Sequence, residues 1–171
     1  MPRQILFTGK KVQLALETTT LPGGETLQRE VILHPGAVVI LPLVDDGRVC
    51  LVRNYRFSVA ETLLELPAGT LEPSEAPETA AARELEEETG YRAGQWRKLA
   101  EFYPSPGVMT ERMFLFLAQD LTPGQKQLQA GEQMESVLVP WREAVAWALD
   151  GTLRDAKTLA GILLWDRLQE K

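Results

Sequence analysis

Along the first 33 residues apolar and polar positions alternate in three short runs, Gln4 to Thr8, Lys11 to Thr19 and Thr26 to Leu33. Turn residues separate them at Thr8-Gly9 and at Pro22-Gly23-Gly24. Alternation of this kind predicts half-buried strands, here a small antiparallel meander that needs another surface to cover it. From Gly36 the apolar runs thicken into AVVILPLV, a turn at Asp45-Asp46-Gly47, and RVCLVRNY, expected as two core strands of one hairpin. ETLLEL over 61–66 reads as a strand broken by Pro67, Ala68 and Gly69, with Glu65 a solvated strand residue. A helix is predicted next. Pro77 suits its first turn, Glu78 to Glu88 are good helix formers, and Gly90 stops it. Two further strands, 95–102 and 112–117, lead into a polar, turn-rich segment, Leu121 to Gln133, then a strand, Ser136 to Trp141. The last elements are helices, Trp141 to Leu149, and one capped by Asp155 with Leu159, Ala160, Leu163 and Leu164 on one stripe. Periodicity alone therefore predicts an α/β or α+β fold.

Length and composition narrow this. A chain of 171 residues holds one full core but not two, so residues 1–34 are expected as an N-terminal meander and 35–171 as one domain. Hydrophobic content of 44% with 25% charged residues is that of a soluble protein, and no apolar run reaches membrane-spanning length. The opening MPRQILFTGKKVQLALE lacks the apolar core of a secretory signal, which makes the cytoplasm the expected location. A net charge of −6 argues against a nucleic-acid groove. The single cysteine, Cys50, lies within RVCLV and reads as a small core hydrophobe. The single histidine, His34, sits at a strand boundary before Pro35, which leaves no inventory for histidine triads or His-rich zinc sites.

The chemistry gathers in LPAGTLEPSEAPETAAARELEEETGY, residues 66–91. On a helix Glu84 and Glu88 are four apart and Glu87 three from Glu84, so three carboxylates share a face. Like charges so placed repel unless a cation neutralises them, and hard oxygens without cysteine or histidine select Mg²⁺ or Mn²⁺. A merely solvated acidic helix is the competing reading.

This segment resembles the Nudix box, G-x5-E-x7-R-E-U-x-E-E-x-G-U with U aliphatic. Gly69, Glu75, Arg83, Glu84, Leu85, Glu87, Glu88 and Gly90 fall at its spacing, and Tyr91 replaces the last aliphatic residue. The resemblance implies a Nudix α/β/α sandwich with a mixed central sheet plus the small N-terminal antiparallel sheet. It further implies a hydrolase in which Glu84 and Glu88 bind Mg²⁺ or Mn²⁺, with Glu87 and the Ala68 carbonyl as further ligands. By the same resemblance Arg83 orients the glutamates, and Glu75 stabilises the loop and helix start.

Further positions resemble the subgroup acting on ADP-ribose. Pro106 stands sixteen residues beyond Gly90, within the triplet Ser105-Pro106-Gly107. Together with Glu111 this triplet resembles the substrate loop, although Glu111 alone is equally a strand opener. Arg53, Tyr55 and Arg56 suit phosphate pairing and base stacking, and the subgroup carries a Tyr-Arg pair near Arg56. A catalytic glutamate on the loop before the last strand is matched by Glu132, with Glu135 its rival. The N-terminal sheet of such enzymes helps build a homodimer. The expected activity is Mg²⁺-dependent hydrolysis of ADP-ribose to AMP and ribose 5-phosphate. The alternatives are cleavage of another nucleoside diphosphate sugar, such as GDP-mannose, or a Nudix-like module that binds nucleotides without turnover.

Overall fold

The computed structural model describes residues 3–10, 12–128 and 134–170. The alternating N-terminal runs form β1 (Arg3–Thr8), β2 (Gln13–Thr20) and β3 (Thr26–Leu33), an antiparallel sheet in the order β1-β2-β3. Every residue of β1 is exposed, whereas Ala15 of β2 is fully buried. The free end of β3 is held to the rest of the chain through Ile32, whose N–H donates to the Val108 carbonyl at 2.9 Å and whose carbonyl accepts from Thr110 N–H at 2.9 Å.

Strand β4 (Ala37–Pro42) is buried at all six positions and lies inside a four-stranded sheet. Its partners are β7 (Ala68–Thr70), antiparallel, and β9 (Met113–Pro123), parallel; β8 (Tyr91–Phe102) closes the other side. The alternation of side chains along β4 explains the layers. Val38 and Ile40 pack with Ala80, Ala81 and Leu85 of helix α1 (Pro77–Thr89). Val39 and Leu41 face the opposite way, into a core shared with Val49 and Leu51 of β5 (Arg48–Arg56), Ala144 of α2 (Trp141–Asp150) and Ile162 of α3 (Ala156–Gln169). The fold is the expected α/β/α arrangement with a mixed central sheet and an added N-terminal sheet.

The expected hairpin of AVVILPLV with RVCLVRNY does not form. After the turn at 45–47, β5 leaves β4 and pairs with β6 (Glu61–Glu65) and β10 (Met134–Pro140) in a second antiparallel sheet. Only the bridge between Leu43 and Val49 remains of the hairpin. Both strands are apolar on both faces, and two such strands are buried more completely in separate stacked sheets than side by side. The segment after Pro67 is likewise more regular than a loop, since Ala68–Thr70 adds β7 to the edge of β4. Strands β8 and β9 also run further than their apolar cores, starting at Tyr91 and ending at Pro123.

Candidate functional site

Helix α1 is placed by its ends. Pro77 occupies the first turn without needing a hydrogen-bond partner, and Gly90 takes a left-handed conformation with φ 76°, its N–H donating to the Glu86 carbonyl. Ala80, Ala81 and Leu85 face the sheet, which turns Glu84 and Glu88 toward the edge strand β7. Both carboxylates are nearly buried, at 7% and 4% exposure.

The backbone of β7 completes this side. Ile40 N–H donates to the Pro67 carbonyl and Leu71 N–H to the Gly36 carbonyl, so in this antiparallel ladder the paired groups belong to residues 67, 69 and 71. The N–H and carbonyl of Ala68 therefore face away from β4. Accordingly, Ala68 N–H donates to Glu88 Oε2 at 3.0 Å. At Gly69 a Cβ would stand 1.9 Å from the Glu84 carboxylate, so the absence of a side chain there is what lets Glu84 reach the strand.

Arg83 binds the acidic residues together. Its Nε and Nη2 donate to Glu75 at 2.9 Å each, and its Nη1 to Glu84 at 2.7 Å and Glu87 at 3.3 Å. The bonds to Glu75 and Glu84 raise the Arg83 pKa, and Arg83 in turn holds the Glu75 carboxyl below the usual carboxylate range. Glu75 also accepts from Glu72 N–H at 3.0 Å, which closes the loop before α1. The network offsets the repulsion among Glu75, Glu84 and Glu87.

These elements bound a cleft of about 610 Å³ lined by Arg56, Ala68, Gly69, Arg83, Glu84 and Glu88. Its donors suit a hard divalent cation: two buried carboxylates, with the Ala68 carbonyl on the side of β7 turned away from β4. Among the described residues no three carboxylate, histidine or cysteine side chains are arranged to hold a metal ion, and Glu84 and Glu87 both bond Arg83. Arg56 enters from the end of β5. Its Nε donates to Glu65 Oε1 at 2.7 Å and its Nη2 bonds Glu65 Oε2, and this pairing raises the Arg56 pKa.

Glu65 is thus not a solvated strand residue. At 1% exposure it is among the most buried side chains, and a second cation, Lys157 of α3, also bonds it. Sequence reading missed Lys157, and no local signal marks it: the pair is 92 residues apart. Its neighbours are equally distant in sequence, since Thr158 Oγ1 accepts from Leu66 N–H at 2.8 Å. Glu111 is brought near the cleft as well. Its carboxylate lies 3.5 Å from His34 Nδ1, beside a cavity of about 310 Å³ that shares Arg56, Ala68 and Gly69 with the cleft.

Other candidates stand apart. Arg53 points to the opposite side of β5 from Arg56, is exposed, and lies 3.8 Å from the exposed Glu135. Pro106 and Gly107 are exposed in the loop that Val108 and Thr110 tie to β3. Glu87 is half-buried at the rim. Glu132 lies outside the described residues.

Residues 33–161 match the NUDIX domain family. Among curated proteins the chain is similar to the ADP-ribose pyrophosphatase of Bacillus subtilis (strain 168), 38% identical over 162 residues that cover 94% of this chain and 88% of that one. It is also similar to the methanol dehydrogenase activator of Bacillus methanolicus, 33% identical over 159 residues, 92% and 86% of the two chains. Among solved structures the crystal structure of an ADP compounds hydrolase matches with a TM-score of 0.87, covering 99% of this chain and 92% of the other at 22% identity, a likeness of fold.

Proposed function

Because this chain belongs to the Nudix hydrolase family, we propose that it hydrolyses the pyrophosphate bond of ADP-ribose, releasing AMP and ribose 5-phosphate. The observation that carries this reading is the pair of buried carboxylates, Glu84 and Glu88, set against the backbone of Ala68 and Gly69 in a cleft that Arg56 also lines. The likeness to the Bacillus subtilis ADP-ribose pyrophosphatase supports the choice of substrate.

Glu84, Glu88 and the Ala68 carbonyl, with Glu87 assisting, would hold Mg²⁺ or Mn²⁺. Such an ion, when bound, neutralises phosphate oxygens and lowers the pKa of coordinated water. The chain's own residues do the rest. Arg56 pairs with the anionic oxygens of the substrate through the guanidinium face not turned to Glu65. Arg83 holds Glu84 in orientation, and Gly69 keeps the space that Glu84 needs. Glu111, beside the adjoining cavity, contacts the sugar end, and Pro106 and Gly107 shape the loop that carries it. Glu132 takes the proton of the attacking water, whose oxygen bonds to phosphorus as the anhydride P–O bond breaks.

The test is product analysis of the purified protein with ADP-ribose and Mg²⁺, in parallel with GDP-mannose and other nucleoside diphosphate sugars. AMP and ribose 5-phosphate are expected. Cleavage of a different sugar nucleotide with no AMP from ADP-ribose would overturn the substrate, and tight binding without turnover of any of them would overturn the enzyme.

A further inference from the structure

Four charges alternate in a row beside the cleft, Asp155, Lys157, Glu65 and Arg56, and the middle two are buried. Lys157 Nζ lies 2.9 Å from Asp155 Oδ1 and also bonds Glu65 Oε2. Glu65 and Lys157 are 1% and 7% exposed, and removing two charges so fully from water is costly unless each is neutralised on the spot. The two ends of the row differ. Asp155 caps α3, its Oδ2 taking both the N–H and the hydroxyl of Thr158 at 3.0 and 2.6 Å. Arg56 ends in the cleft, where only Nε and Nη2 are turned to Glu65, and among the described residues Nη1 makes no hydrogen bond.

We propose that Lys157 is a positioning residue for the reaction, acting on the substrate's diphosphate through Glu65 and Arg56. This rests on the reading that the cleft takes a phosphoanhydride. A carboxylate held by one guanidinium alone spends its whole charge on that partner, and an incoming anion then meets a neutral pair. Sharing Glu65 with Lys157 loosens that hold, so the cleft end of the row stays cationic. Lys157 also anchors Glu65 to the start of α3, whose Thr158 receives Leu66 N–H immediately before the Pro67–Gly69 segment. The guanidinium is thereby fixed relative to the same backbone that faces Glu84 and Glu88. Lys157 touches no substrate in this scheme; it sets how strongly Arg56 does.

The experiment is a double-mutant cycle of Lys157→Met and Glu65→Gln, read as KM and kcat for ADP-ribose with thermal midpoints as the check on folding. Lys157→Met is expected to raise KM about tenfold with kcat changed less than about threefold, since uniform substrate binding is what it weakens. In the Glu65→Gln background the same substitution should change KM by less than about twofold, because the charge it answers is gone. Lys157→Arg, which keeps the charge, should restore KM to within about threefold of the unmodified protein. An equal KM factor in both backgrounds, or an unchanged KM in folded Lys157→Met, overturns the proposal. Should Lys157→Met not fold, Lys157→Gln, which keeps a hydrogen-bond donor without the charge, closes the same cycle. Failure of the unmodified protein to cleave ADP-ribose would instead sink the functional reading, and the cycle is then run on whichever sugar nucleotide it does cleave.

Discussion

Glu84 and Glu88 carry the heaviest demand of any residues in the chain, and their isosteric amides test it. Glu84→Gln and Glu88→Gln are each expected to lower turnover by about a hundredfold or more, because on the proposed reading each removes a metal ligand. Gly69→Ala is a sharper probe. The new Cβ would fall 1.9 Å from the Glu84 carboxylate, which is the far end of a flexible chain and can swing away. Turnover should therefore fall at least about tenfold while stability moves by less than about 1 kcal/mol. Cys50 gives the converse case. Fully buried in β5, its thiol is pushed up to about 11 by desolvation, so alkylation at neutral pH should be negligible in the native protein and complete in denaturant. The carboxylate face of α1 and the core nature of Cys50 were both legible in the sequence, because each depends on residues within one or two helical turns or one strand. Glu65 was not, because its partner Lys157 arrives from a helix near the other end of the chain.

Among the elements, α3 reaches the cleft indirectly, through Glu65 and Leu66. Gly161 lies where a Cβ would stand 2.5 Å from Leu66 Cδ1 and 3.4 Å from Leu115, both fully buried. Gly161→Ala should push α3 away from Leu66 and β9, destabilising the protein by about 1–3 kcal/mol in denaturant unfolding and lowering turnover through the displaced Leu66. The N-terminal sheet poses a different question. Ile5, Leu6 and Phe7 of β1 are 44%, 48% and 62% exposed, a row of apolar side chains on an edge strand. We propose that a second copy of the chain covers them. Size-exclusion chromatography with light scattering should give a dimer, and Ile5→Ser with Phe7→Ser should shift it toward monomer; a monomeric unmodified chain would refute this. The positions of the strands were readable from alternation, but the separation of β4 from β5 was not. A turn at 45–47 permits a hairpin, and only the competition for apolar faces in two stacked sheets decides against it.

For the molecule as a whole, pH acts through Glu75, which Arg83 joins to the carboxylates proposed to hold the metal. Glu75 titrates below the usual carboxylate range because Arg83 holds it ionised. A carboxyl depressed in the folded state stabilises the protein above its unfolded pKa, and that contribution is lost as pH falls through the folded value. Acid unfolding followed by circular dichroism should therefore show a shallower dependence on pH in Glu75→Gln. Chelation by EDTA is expected to abolish turnover reversibly and leave the fold intact, since the core on both faces of the central sheet is independent of the cleft. The shared face of Glu84 and Glu88 follows from spacing along the chain, for 3.6 residues per turn aligns such groups before any tertiary contact exists, while the places of Gly69 and Arg83 were legible only through the resemblance to the Nudix box. What only folding decided is the company they keep: Arg56 on one side of β5 and Arg53 on the other, Glu111 beside His34, and Lys157 under Glu65. Those neighbours are set by which surfaces exclude water together, a property of the packed layers and of no single stretch of sequence.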